Sequence, residues 1–108
     1  MNTLLSGTTA LAVLCLAAGG LRAQDVASGE KVFKAKCISC HGPDGKGDTT
    51  VGKATKARNL SSEEVKNESD ATWTEIITKG KNKMPSYDKK ISDAEVKDVI
   101  AYVRTLIK

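Results

Sequence analysis

The chain has 108 residues, with 17 Lys and Arg against 13 Asp and Glu, and a formal net charge of +4. That length favours a single domain. The lysines are spread along the chain without an interleaved aromatic platform, so the balance is not that of a nucleic-acid-binding protein.

Residues 1–23 read as a secretory signal peptide. Ala10–Ala18 is a short apolar run, followed by small residues and a cleavage point after Ala23. The run is shorter than the roughly 20 apolar residues a bilayer span needs. No Lys or Arg precedes it and the first basic residue is Arg22, so an N-terminal buried or membrane helix is the competing reading. Bulky Leu14 before Cys15 argues against a lipid-modified cysteine. Loss of the leader leaves residues 24–108 with a net charge of +3. A unit of that size is short of core and needs a staple.

The first helix is expected over Ala27–Lys36, with Val32, Phe33 and Ala35 on its apolar side. Gly29 is either a plain helix start or the mark of a close helix crossing, since a helical Gly costs up to about 1 kcal/mol. Directly after it comes Cys37-Ile38-Ser39-Cys40-His41, the C-x-x-C-H attachment signature of a c-type haem. Two thiols at this spacing can add to the two vinyl groups of one porphyrin, and the next residue then falls under the ring with an imidazole nitrogen toward iron. A zinc site needs about four N or S ligands, and beyond the leader only Cys37, Cys40 and His41 are on offer. A thioredoxin-type dithiol expects a βαβ context that is absent here. A Cys37–Cys40 disulfide would leave His41 unexplained.

Gly42-Pro43-Asp44-Gly45-Lys46-Gly47-Asp48 is loop sequence. It follows no strand and lacks a G-K-[ST] ending, which excludes a phosphate loop. Val51–Leu60 has no regular period and is expected to be extended, laying Leu60 against the haem. Ser61-Ser62-Glu63-Glu64 starts a short helix. A longer one is expected over Asp70–Lys79, capped by Ser69 or Asp70 and ended by Gly80, with Trp73, Ile76 and Ile77 apolar. Trp73 is either core packing or an indole donor to a haem propionate. Residues 81–91 form a polar loop carrying Met84-Pro85-Ser86-Tyr87. The last helix, Asp93–Ile107, opens on a Ser92/Glu95 capping box and has apolar residues at helical spacing from Val96 to Ile107. With no strand pattern, the class is all-α.

The sixth iron ligand follows by elimination. The chain has one His and two Met, and Met1 leaves with the leader. Met84 is therefore the thioether available opposite His41, and Pro85 biases it toward an extended conformation. The other reading of Met84 is a gap filler in a loop. Lys79, Lys81 and Lys83 are substitutes only at high pH or after loop opening. A Met opposite His favours ferrous iron and raises the reduction potential.

With these residues in place, the chain resembles the class I cytochromes c, in particular the small mono-haem bacterial kind, over essentially all of residues 25–108. Gly29 with Phe33, the C-I-S-C-H-G-P-D-G-K-G run, Lys83-Met84-Pro85-Ser86-Tyr87 and Val99-Ile100-Ala101-Tyr102-Val103 carry the resemblance. It implies a small cytochrome c fold of three to five short helices around one covalently bound haem c. The terminal helices cross there, so that Gly29 and Phe33 meet Val99 and Tyr102. The residues expected at the haem, beside Cys37, Cys40, His41 and Met84, are Leu60, Arg58, Trp73 and Tyr87. Many relatives have a proline before the haem-packing Leu whose carbonyl steadies the ligand His; here Arg58 stands in that neighbourhood. Its side chain is either a propionate partner or a solvated cation.

The lysines Lys34, Lys36, Lys79, Lys81, Lys83, Lys89 and Lys90 flank the ligand-bearing segments, while Glu63, Glu64, Glu68, Asp70 and Glu75 lie between them. They are either a rim that steers an acidic redox partner or ordinary solubilising surface. The expected function is a periplasmic electron carrier, monomeric and not an enzyme. The alternatives are an electron-transfer subunit of a dehydrogenase or oxidase complex, and a ligand-binding or peroxidase-like haem protein.

Overall fold

A computed structural model describes residues 23–107; the expected leader, residues 1–23, lies almost wholly outside them. Six helices are formed among the described residues: α1 Val26–Lys36, α2 Ile38–His41, α3 Thr50–Thr55, α4 Glu63–Lys66, α5 Asp70–Lys79 and α6 Asp93–Leu106. Two are single turns of four residues. The only extended pairing among the described residues is an isolated bridge between Lys81 and Met84. None of the described helices is long and apolar enough to cross a membrane.

Short polar side chains start these helices. Asp25, Thr49, Ser62, Ser69 and Ser92 each accept a backbone N–H from the first turn, satisfying donors that have no helical partner. At α6 the capping box is complete, with the Glu95 side chain accepting from the Ser92 N–H at 3.0 Å.

The crossing of α1 and α6 builds the core. A Cβ on Gly29 would lie 2.0 Å from the Asp98 carbonyl oxygen and 2.9 Å from Tyr102 Cβ, so the two backbones meet where a side chain is impossible. The expected neighbour Val99 is one residue off: Asp98 makes the closest approach. One turn on, the Phe33 and Tyr102 rings pack 5.4 Å apart at 56°, the tilted geometry aromatic pairs prefer. Asp98 is 1% exposed and its Oδ1 accepts from the Asp25 N–H at 2.8 Å, tying the start of α1 to the middle of α6. Val32, Val96, Val99, Ile100, Val103 and Ile107 fill the rest of this core, which extends to Val65 and Trp73.

One expected element is wrong. Residues 51–60 are not extended throughout, because Thr50–Thr55 forms α3. The helix is held by close backbone contact, which leaves no apolar period to read. A Cβ on Gly52 would lie 2.2 Å from the Cys40 carbonyl oxygen, and the Thr49 hydroxyl donates to the Ser39 carbonyl at 2.7 Å. Lys56, at φ 57, then stops the helix in the left-handed region. α3 thus packs directly on the C-x-x-C-H turn.

Candidate functional site

A cleft of about 1180 Å³, mouth included, opens between α1, α2, α5 and α6 and the loops after α3 and α5. Cys37, Cys40, His41, Met84, Leu60, Arg58, Trp73 and Tyr87 all line it, together with Phe33, Ile76, Ile77, Ile91, Val99, Ile100 and Val103. The eight residues singled out from the sequence are therefore brought to one largely apolar space by four separate parts of the chain.

Cys37 and Cys40 are free, half-buried thiols on one turn, Cys37 as the N-cap of α2 and Cys40 within it. Burial, with Cys40 alongside, pushes the Cys37 thiol up to about 11. A redox-active dithiol needs the opposite, a depressed thiol that ionises near neutrality. His41 follows in α2, with its N–H on the Cys37 carbonyl at 3.0 Å. Burial holds its imidazole below the usual histidine range, although the Arg58 carbonyl pulls the other way. At neutral pH it is uncharged, the form in which an imidazole can bind a metal. Nδ1–H donates to the Arg58 carbonyl at 3.2 Å, which leaves Nε2 as the ring nitrogen available to a metal. The arginine supplies the backbone acceptor despite the missing proline.

The Arg58 side chain has its own partner. Its Nη1 and Nη2 donate to the two carboxylate oxygens of Glu68 at 3.1 and 2.5 Å. The guanidinium is thus engaged rather than solvated, and the hydrogen-bonded carboxylate is held below its usual range by it. Trp73 is buried, and its indole N–H donates to the Val65 carbonyl at 3.2 Å. Its donor is committed inside the protein, which favours the packing reading.

Met84 is half-buried in a tight turn in which Lys81 and Met84 exchange backbone hydrogen bonds at 3.1 and 2.9 Å. The loop is fastened on both sides. The Tyr87 hydroxyl donates to the Lys36 carbonyl at 2.9 Å, satisfying an end carbonyl of α1. Lys83 Nζ reaches the Ala54 carbonyl in α3 at 3.5 Å, and the Ser86 hydroxyl donates to the Thr78 carbonyl in α5. Tyr87 keeps its proton because burial raises its phenol above the ordinary value. Its role in the site is this fastening, together with its place in the lining.

Arg104 was not singled out from the sequence. Its guanidinium lies 3.8 Å over the Trp73 ring, donates to the Lys66 and Glu68 carbonyls at 2.7 and 2.6 Å, and pairs with Asp70 at 3.0 Å. In the sequence it is one more surface cation near the end of a helix. Only the folding-back of α6 over α5 brings it to the aromatic ring. Of the lysines flanking the site, Lys36, Lys81 and Lys83 edge the cleft, joined by Lys56. Lys34 and Lys79 are instead paired with Glu30 and Glu75 at 2.7 and 3.3 Å.

The donor set fits a c-type haem. Two thiols and an imidazole sit on one short turn, a thioether reaches the same cleft from another loop, and the walls between are apolar. Comparison with known proteins agrees. Residues 24–103 match the family model described as cytochrome C oxidase, cbb3-type, subunit III. The chain is 35% identical to cytochrome c6 of Synechococcus sp. over 81 residues, which cover 75% of this chain and 70% of that one. It is 36% identical over 84 residues to the cbb3-type cytochrome c oxidase subunit FixP of Bradyrhizobium sp., covering 76% of this chain but 28% of FixP. In three dimensions it is similar to the KustC0563 c-type cytochrome, with a TM-score of 0.67 and 32% identity over 74% of this chain and 98% of the other. The chain belongs to the cbb3-type subunit III family and is a small class I cytochrome c.

Proposed function

We propose that this chain is an electron carrier that works through one haem c, attached covalently at Cys37 and Cys40, with His41 and Met84 as axial ligands. The observation that carries the reading is the His41 Nδ1–H bond to the Arg58 carbonyl in a cleft that also receives both thiols and Met84. Such a haem, once held, supplies one-electron transfer between ferric and ferrous iron.

The residues do the rest. His41 presents a neutral, oriented nitrogen, and Met84 brings a soft thioether that prefers the reduced metal. The apolar walls disfavour the extra charge of the oxidised state. The fastened loop would hold Met84 against a bound haem, so small molecules would be kept from the iron and little would have to move when an electron arrived. The chain acts as a carrier and not as an enzyme.

Export to the periplasm is part of the proposal, supported by the apolar run Ala10–Ala18 and by the attachment of c-type haem outside the cytoplasm. Redox protein partners would approach the cleft mouth, where Lys36, Lys56, Lys81 and Lys83 offer a positive edge to an acidic surface. A second reading is favoured by the match to FixP: the domain works as a fixed electron-transfer subunit in an oxidase. Size-exclusion of the native material separates a free monomer from a complex.

The deciding experiment is a visible spectrum of the matured protein, oxidised and reduced, with and without carbon monoxide. A low-spin spectrum with the weak red-edge band of Met-ligated ferric haem, unmoved by the gas, supports the carrier reading. A high-spin spectrum that shifts with the gas overturns it in favour of a ligand-binding or peroxidase-like protein.

A further inference from the structure

The carbonyl that holds His41 lies in a stretch with no regular structure of its own. Residues 57–59 run between the end of α3 and the turn before α4, and such segments reorient easily unless something pins them. Here a side chain does the pinning. Arg58 makes a two-armed contact with Glu68, a geometry that fixes direction as well as distance. Both side chains are largely covered, at 33% and 20% exposed.

Glu68 is itself a fixed point. Its carbonyl accepts from Arg104 Nη2 at 2.6 Å and its N–H donates to the Val65 carbonyl at 3.1 Å. Arg104 in turn is clamped between the Trp73 ring and Asp70. A continuous set of contacts therefore runs from α6 through Glu68 and Arg58 to the imidazole of His41.

We propose that Glu68 is a positioning residue for His41: by clamping Arg58 it fixes the carbonyl that holds Nδ1–H, and so sets how strongly Nε2 donates to iron. The proposal rests on the reading of His41 as an axial ligand. A firm Nδ1–H···O=C bond raises the basicity of the ligating nitrogen, which stabilises the ferric state. A loosened one lowers that basicity and moves the potential up. An ion pair with a purely structural role would change stability and leave the ligand field alone.

The test uses the haem-loaded protein with Glu68→Ala, Glu68→Gln and, as a destabilised control away from the clamp, Val32→Ala. The potential is measured together with solvent exchange of the His41 Nδ1 proton by NMR. Glu68→Ala should raise the potential and speed the exchange about fivefold, with Glu68→Gln, which keeps one acceptor, in between. Val32→Ala should lower the melting temperature and move neither quantity. Should Glu68→Ala fail to take up haem, Glu68→Gln carries the comparison. Glu68 variants that match Val32→Ala in potential and exchange, while the wild type shows its His/Met spectrum, overturn the proposal alone. A wild type without that spectrum overturns both this proposal and the carrier reading.

Discussion

The Tyr87 hydroxyl donates to the Lys36 carbonyl, joining the loop that carries Met84 to the residue immediately before Cys37. This hydrogen bond links the two halves of the cleft directly, across 51 residues of sequence. Tyr87→Phe removes it and leaves the ring in place. Stability should fall by about 1 kcal/mol, and the reduced protein should bind carbon monoxide measurably faster than the wild type. Unchanged gas-binding kinetics would mean that the Lys83 and Ser86 contacts hold the loop unaided.

Met84→Ala is the direct test of the sixth ligand. If Met84 is that ligand, its removal would open a position at the iron, so carbon monoxide should bind readily to the reduced variant. The reduction potential should fall, because the ligand that favours ferrous iron is gone. A variant with wild-type spectrum and potential would exclude Met84 from the iron.

Gly29→Ala places a methyl group against the Asp98 backbone, where the nearest atom would be 2.0 Å away. Neither helix can yield locally, so α1 and α6 must separate. The expected cost is about 2–4 kcal/mol, read as a fall in melting temperature of roughly 10 °C or more for a domain of this size.

The pH dependence follows from Glu68. The Arg58 guanidinium holds its carboxyl below the usual range in the folded protein. The pair therefore contributes stability in full above the ordinary carboxylate value, and that contribution is lost as pH falls through the lower folded value. Thermal unfolding from about pH 7 to about pH 3 should show a smaller acid loss in Glu68→Gln than in the wild type. Equal losses would mean that the pair does not stabilise the fold.

Much of this was legible in the residues. Asp70–Lys79 has the expected bounds, and α1 and α6 differ from expectation by one residue at one end, because caps and apolar spacing state themselves locally. The all-helical class follows from the same signals. α3 was not legible, because the Gly52 backbone and the Thr49 hydroxyl hold it by contacts that only the folded α2 provides. The engagement of Arg58 with Glu68 was hidden for a similar reason. The two are ten residues apart across a turn and α4, and nothing periodic links them. Arg104 depends on the packing of one helix over another, which no local pattern announces.

Gly80, at φ 78, ends α5, and Tyr87 closes onto α1, so the Met84 segment is a short hasp with a tight glycine turn at one end and a catch at the other. The opposite wall is a different kind of object, with α2 and α3 pressed backbone to backbone. The site is therefore mechanically one-sided. Opening of the cleft should therefore begin at the hasp, before the wall that bears His41 gives way.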